Sequence, residues 1–481
     1  MLSNHGEWAK KETCMSIQSL NPATEEVIET FEPYNTAQVN EALEQARHAF
    51  SNWRTISFDE RAKHMHHVAS TLREHKARLA QLATLEMGKP ITEAEAEVEK
   101  CAWNCDFYAD NAAKFLADEH VTSNATESYI SYQPLGVILA LMPWNFPYWQ
   151  VFRFAAPALM AGNTAVLKHA SNVPRAALEI ERIFQDAGLP QGVFKTVLVP
   201  GAETKQLIDD PRIAAVTLTG SDSAGVAVAS ASGHALKKTV LELGGSDAFI
   251  VLEDADLDAA AQMAVRARFQ NTGQSCIAAK RFIVVESVAA AFEQKFVEYT
   301  AKLHVGNPFD RETQVGPMAR GDLREALEKQ VAASVAMGAK VILGGKPLDG
   351  KGYFYAPTII TNVTTEMPIF REETFGPVAA VIHARDTEHA VELANDSDFG
   401  LGGNLWTRNI AHGRELARRL ETGGVFINGM TASDPRLPFG GVKRSGYGRE
   451  LSTFGIREFV NIQTVWIGPT VTPATTKTSV E

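Results

Sequence analysis

A chain of 481 residues has room for two or three domains, and its 45% hydrophobic and 21% charged residues match a globular protein with a large core. Lys+Arg 46 against Asp+Glu 57 leave a net charge of −11, which argues against a nucleic-acid or anionic-membrane role. No apolar run approaches the roughly 20 residues that span a bilayer, and four cysteines in so long a chain point to a reducing, cytoplasmic setting with no disulfide scaffold.

Residues 1–15 lack the apolar centre of a signal peptide and read as a loose extension, with Met15 a candidate start. Helical spacing then dominates. Val39, Ala42, Leu43, Ala46, Phe50 and Trp53 recur after a Thr36 cap, and further helices are expected over Arg61–Leu85, stopped by Gly88-Lys89-Pro90, and over Thr92–Leu116. Cys101 and Cys105 share one helix face. No His or further Cys nearby completes a zinc pattern, so they read as packing and no metal site is expected.

Near residue 128 the pattern changes to an alternating strand, Ser128–Tyr132. Continuous apolar strands alternating with helices follow, at Val137–Leu141, Thr164–Lys168, Phe194–Val199, Ala214–Leu218 and Thr239–Leu243. A second series runs through Phe249–Leu252, Phe282–Val285, Lys340–Leu343, Val378–Ile382 and Gly424–Ile427. Such alternation predicts an α/β protein with two parallel sheets, each covered on both faces, and a seam near residues 244–248. Glu458–Trp466 resembles the strand at 128, and residues 469–481 read as a loose tail.

Ligand sites in open α/β sheets lie beyond the carboxyl ends of the parallel strands. Collected there are Met142-Pro143-Trp144-Asn145-Phe146-Pro147, Lys168-His169-Ala170-Ser171, Gly220-Ser221-Asp222-Ser223-Ala224-Gly225 and Glu242-Leu243-Gly244-Gly245. The turn from Gly220 to Gly225 can offer backbone N–H groups to a phosphate. It is neither the GxGxxG fingerprint nor a P-loop. Asn271-Thr272-Gly273-Gln274-Ser275-Cys276 reads as a helix running out into a turn at Gly273 that presents a thiol ahead of an apolar strand. The bland alternatives are a packed cysteine, a turn-capping asparagine and a solvated strand-end glutamate.

MPWNFP, LELGG, NTGQSC, Glu372-Glu373-Thr374-Phe375-Gly376-Pro377 and Pro438-Phe439-Gly440-Gly441-Val442-Lys443-Arg444-Ser445-Gly446 resemble, in order, the signatures of the aldehyde dehydrogenase superfamily. The resemblance covers roughly residues 17–466. KHASN, GQSCIAAKRF and DPRLPFGG look most similar to the bacterial branch that oxidises succinate semialdehyde with NADP. It implies two Rossmann-type domains plus a small β oligomerisation element: a dinucleotide-binding domain over 16–124 and 143–246, a catalytic domain over 247–450, and oligomerisation strands over 125–142 and 456–468.

The implied chemistry suits the residues. A Cys276 thiolate attacks the aldehyde carbon, the Asn145 amide and the Cys276 N–H hold the oxyanion, and Glu242 deprotonates the hydrolytic water. The resemblance puts Ser221, in the Gly220–Gly225 turn, on a pyrophosphate, Lys168 on the adenosine ribose, and Glu373 with Phe375 at the nicotinamide end. Trp144 joins the cofactor-contacting set, while it and its flanking prolines also shape the loop. Ser171 stands where NAD-preferring relatives often carry a glutamate, so NADP preference is expected, with NAD as the weaker alternative.

Arg153, about two helical turns beyond Asn145, resembles a substrate-binding arginine. A second arginine, expected six residues before the nucleophile, is here Gln270, and Arg436 is a candidate to restore its charge. The alternatives are an enzyme for glutarate semialdehyde or small aliphatic and aromatic aldehydes, or a catalytically silent member. A CoA-acylating member is disfavoured because Glu242 is present. A homodimer or homotetramer is expected, since the strands near 128–133 and 458–466 have no evident partner within either α/β domain and pair across subunits in the family.

Overall fold

The structure, a computed structural model, describes residues 16–469. The expected loose termini at 1–15 and beyond 469 therefore lie outside the described residues. A helical layer comes first, after the hairpin Ile17–Asn21 and Glu26–Phe31. Helix Thr36–Trp53 is capped by Asn35, not by Thr36: the Asn35 side chain accepts from Gln38 N and the Gln38 side chain reaches back, a reciprocal cap. The stretch expected as one helix over 61–85 is two, Phe58–Glu74 and Lys76–Met87, broken at His75. The second stops at Gly88 in the left-handed conformation (φ 77°). Helix Ile91–Phe115 completes the layer and carries Cys101 and Cys105 fully buried in the core.

Five parallel strands make the first sheet, in the spatial order Lys238–Glu242, Ile213–Thr219, Val137–Met142, Thr164–His169 and Phe194–Thr196. The antiparallel strand Gly446–Tyr447 joins the Lys238–Glu242 edge from far along the chain. Val137–Met142 is buried at every residue. Val137, Leu139 and Leu141 face one core and Ile138, Ala140 and Met142 the other, which is why its sequence is continuously apolar. This corrects the boundary drawn at 125–142: residues 137–142 are the middle of the first sheet, not part of an oligomerisation strand.

The second sheet has seven strands ordered Lys340–Leu343, Thr358–Thr361, Val378–Ala384, Ala279–Val285, Asp247–Val251, Gly402–Trp406 and Gly424–Ile427, all parallel except the first. Thr358–Thr361 and Gly402–Trp406 were not expected. In the latter, Gly402 and Gly403 hide the apolar run, yet the backbone pairs on both sides. A side chain at 402 would meet the Asp247 carboxylate and Thr431.

The two alternating strands do have a partner within the chain, and it is each other. Glu127–Pro134 pairs antiparallel with Val460–Ile467 from Glu127↔Ile467 to Pro134↔Val460, and with Glu119–His120 on its other side. The outer edge of Val460–Ile467 stays open, with Ile462, Trp466 and Ile467 exposed. Among the described residues no helix is long and apolar enough to cross a membrane.

Candidate active site

Helix Leu257–Phe269 ends one turn earlier than its sequence suggests. Asn271, Thr272 and Gly273 then follow one another in the left-handed region (φ 54°, 57° and 72°). That conformation is costly for a β-branched residue such as Thr272, so the surroundings must over-determine it. They do. Glu93 Oε2 accepts from Asn271 N (2.8 Å), and the Asn271 amide donates to the Asn145 and Gln274 carbonyls (2.9 and 3.0 Å). Thr272 Oγ1 accepts from Gly316 N (3.1 Å), and Ala319 N donates to Gln274 Oε1 (2.9 Å).

Two fully buried cations finish the turn. Arg268 donates to the Gly273, Gly376 and Ala279 carbonyls (2.7, 2.5 and 3.0 Å). Lys280 donates to the carbonyls of Ser275, Cys276 and Ala278 (2.8, 2.8 and 3.2 Å) and pairs with Glu373 at 3.4 Å. Sequence reasoning missed both. The available signal was a cationic pair, Lys280-Arg281, inside a strand buried at every residue, because such charges persist there only when partnered.

Asn145 is held against this turn. Its Nδ2 donates to the Gln274 carbonyl (3.1 Å), and its side-chain oxygen is buried without a partner. The Cys276 backbone N–H has no acceptor among the described residues, so this donor is free beside the half-buried thiol. Helix Trp149–Met160 leaves the asparagine loop without a cap of its own. Glu97 supplies one across space, accepting from Tyr148 N and Trp149 N (2.8 and 2.9 Å) while paired with Lys89. His169 accepts from Ala170 N and contacts the Pro147 carbonyl through Nε2 (both 2.9 Å), and burial pushes its pKa down to about 4. It is therefore a neutral brace for the loop, not an acid or base.

Glu242 ends the strand Lys238–Glu242, opposite Thr219, and the segment 445–450 clamps it there. Leu243 N donates to Ser445 O (3.0 Å), and Ser445 Oγ to Gly244 O (2.6 Å). Both Glu242 oxygens are buried without a hydrogen bond. Burial, and then Glu450, pushes its carboxyl well above the usual range. Burial likewise pushes the Cys276 thiol up to about 12, opposed by Arg153 and Lys280 and reinforced by Glu373 and Glu242. Both groups are thus held toward their protonated forms, within range of each other's charge.

Cys276 lines a cavity of about 580 Å³ with Phe146, Trp149, Gln150, Arg153, Gln270 and Ser433, among others. Arg153 and Gln270 both belong to this lining. Arg153, however, is ion-paired with Glu450, donates to Thr219 Oγ1 (3.3 Å), and packs over the Phe439 ring (4.7 Å). Arg436, the other expected substrate contact, is not among the lining residues. Its guanidinium chelates Asp434 of its own loop (2.8 and 2.6 Å) and stays 68% exposed. Lys100, which sequence reasoning passed over, does line the cavity.

The dinucleotide-side residues gather at the ends of the first sheet's strands. Lys168 is mostly buried, donates to the His169 carbonyl (3.0 Å), and has no carboxylate within pairing distance among the described residues. Beside exposed Ser171, the Asn172 amide nitrogen is buried without an acceptor. Ser221 caps helix Asp222–His234, and a Cβ at Gly225 would sit 2.4 Å from Leu243, so only glycine lets this helix approach the sheet so closely. An unpaired cation, an orphaned donor and a helix N-terminus fit a phosphorylated ligand. Glu373 accepts from Gly245 N (3.0 Å), and Phe375 meets Trp144 edge-on at 5.7 Å.

The chain belongs to the aldehyde dehydrogenase family, whose family model matches residues 8–465. It is 54% identical, over 94% of its length and all of the relative's, to a probable NADP-type succinate-semialdehyde dehydrogenase of Synechocystis. It is also 52% identical, over 93% of its length and 97% of the relative's, to the Escherichia coli succinate semialdehyde dehydrogenase Sad, which is named for NAD(P). The crystal structure of succinic semialdehyde dehydrogenase from Streptococcus pyogenes with NADP superposes with a TM-score of 0.92 at 39% identity, covering 94% of this chain and all of that one.

Proposed function

We propose that the protein oxidises succinate semialdehyde to succinate, with NADP as preferred cofactor. The observation that carries this reading is a cavity with the Cys276 thiol at one end and cationic side chains along its wall, the form a carboxylate-tailed aldehyde requires. The relatives named above support the same substrate.

Cys276 gives its proton to solvent, its sulfur bonds the aldehyde carbon, and the carbonyl π pair moves to the oxygen. The resulting oxyanion takes hydrogen bonds from the Asn145 amide, turned from the Gln274 carbonyl, and from the free Cys276 N–H. A bound nicotinamide dinucleotide would supply the hydride acceptor for this carbon; as the oxyanion re-forms its carbonyl, Cys276 would be left holding a thioester. Glu242 takes a proton from water as the water oxygen bonds the thioester carbon; the C–S bond then breaks, the departing sulfur takes that proton back to restore the Cys276 thiol, and succinate is released. Lys168, Ser171, Asn172, and Ser221 with Gly220 and Gly225 would hold the dinucleotide's ribose and phosphates. Glu373, Phe375 and Trp144 would hold its nicotinamide end. A neutral Ser171 beside Lys168 accepts a 2′-phosphate, which a glutamate there would repel.

The open edge of Val460–Ile467 supports assembly of a homodimer or homotetramer through that strand. The unpaired thiols of Cys101, Cys105 and Cys276 support a cytoplasmic setting.

The test is a substrate panel with both cofactors, following reduced cofactor by absorbance. Succinate semialdehyde with NADP should give the highest kcat/KM, about tenfold or more above butanal. Ser171→Glu should move the cofactor ratio toward NAD. A flat panel, or a wild type favouring NAD, would overturn the corresponding part of the reading.

A further inference from the structure

The cavity poses a charge problem. A carboxylate drawn out of water needs a cation to receive it, yet Gln270 removes one candidate and Arg436 lies outside the lining. Arg153 is already ion-paired with Glu450. Of the remaining lining cations, Arg311 is bidentate to Glu95 (2.9 and 3.0 Å) and 65% exposed, and Arg266 is exposed.

Lys100 differs from all of these. It projects from helix Ile91–Phe115, is half-buried, and has no carboxylate within ion-pairing distance among the described residues. Its ammonium is held without being neutralised: Nζ donates to Ser433 Oγ (2.7 Å) and sits 4.3 Å above the Trp149 ring. One of its three N–H donors is thereby used, and the others remain for a ligand.

We propose that Lys100 is the specificity-determining cation of this cavity, receiving the carboxylate of the aldehyde substrate in place of the arginine that Gln270 replaces. The inference rests on the carboxylated-aldehyde reading above. Lys100 comes from the helix that bonds the nucleophile turn through Glu93, a different element from the segment at Gln270 where the resemblance places an arginine. Ser433 and Trp149 fix the ammonium's place, which limits the freedom a lysine would otherwise lose on binding.

The charged and titratable groups acting on Lys100 are Arg153, which opposes its proton, and Cys101, Asp434 and Glu97, which favour it; burial outweighs them and lowers its pKa to about 8. Its charge is therefore full below that value and lost above it. Carboxylate binding should weaken correspondingly as pH rises through 8.

The experiment compares succinate semialdehyde with butanal, its uncharged analogue, in the wild type and in Lys100→Met and Lys100→Arg. Lys100→Met should raise KM for succinate semialdehyde about 10–100-fold more than KM for butanal, as for loss of a charge-assisted hydrogen bond, while kcat changes little. Lys100→Arg should recover most of the discrimination. In the wild type, KM for succinate semialdehyde alone should climb above pH 8, a readout that needs no variant. Equal losses for both aldehydes, or a retained preference in Lys100→Met, would overturn the inference while leaving the proposed reaction standing. A wild type that does not prefer succinate semialdehyde over butanal would overturn the parent reading, and this inference with it.

Discussion

The nucleophile turn and the rest of the cavity wall are built on different principles. At the nucleophile turn, buried side chains bond backbone atoms: Arg268 and Lys280 to carbonyls, Glu93 and Glu97 to N–H groups. Backbone partners stand at fixed places, so reach, charge and donor number of each side chain are dictated by geometry. Away from the turn, side chains mostly meet other side chains in pairs: Arg153 with Glu450, Arg311 with Glu95, Lys100 with Ser433. Such pairs can be relocated if the local sum of charge is kept. Under the proposed function, the reacting groups are anchored at single positions, while the cations of the cavity wall come from several elements, with Lys100 the proposed receiver of substrate charge.

Breaking the anchored end should produce the largest effects. Cys276→Ala should lower kcat by about 10⁴-fold or more with either aldehyde, measured as reduced-cofactor formation; retained turnover would remove Cys276 from the nucleophile's place. Glu242→Gln should lower kcat by about 10²–10⁴-fold and leave a burst of reduced cofactor equal to one turnover, because thioester formation survives its loss. Absence of the burst would move Glu242 to the earlier step. The pH dependence follows from the same pair. Both groups must lose a proton to act, and both are held above their ordinary values. Free-enzyme kcat/KM for butanal should thus rise with pH above neutrality, and a profile that falls there would contradict this account. Asn145→Ala should cost about 10²–10³-fold for charged and uncharged aldehydes alike. A loss confined to succinate semialdehyde would place Asn145 at the wrong end of the comparison.

The same division explains what the sequence disclosed. Cys276, Asn145 and Glu242 sit at the ends of regular elements beside glycine or proline, where local pattern predicts both a turn and an exposed strand end. Continuous apolar strands such as Val137–Met142 announced a sheet buried on both faces, though not that this strand lies at its centre. Gly402–Trp406 stayed hidden because its glycines leave room for Asp247 and Thr431, a reason visible only in three dimensions. Arg268 was illegible as a site residue, and Lys280 showed only as a cation inside an apolar strand, because most of their partners are carbonyls, which leave no mark on composition. Lys100 was illegible for a different reason. Its partners Ser433 and Trp149 are brought to it from distant parts of the chain, and on helix Ile91–Phe115 it looks like an ordinary surface lysine.

The smallest expected effect makes the sharpest test of the distributed end. Arg436 and Lys100 are both cations near the 433–436 loop, and sequence alone favours Arg436. In the fold, Arg436 spends its guanidinium on Asp434 and points its charge toward the Trp103 ring at 5.7 Å. An exposed ion pair of this kind contributes little to stability, so Arg436→Ala should leave stability almost unchanged. Its effect on binding should also be small, and its sign can be argued. Removing Arg436 frees the Asp434 carboxylate, which already favours the protonated form of Lys100. Lys100 should then hold its proton to somewhat higher pH while facing a competing carboxylate, two consequences that oppose each other in KM. The expected outcome is a KM for succinate semialdehyde within about threefold of wild type, with the pH at which KM begins to climb shifted upward. A KM increase as large as that of Lys100→Met would show that the loop arginine reaches the substrate after all and that the receiving charge is shared between the two.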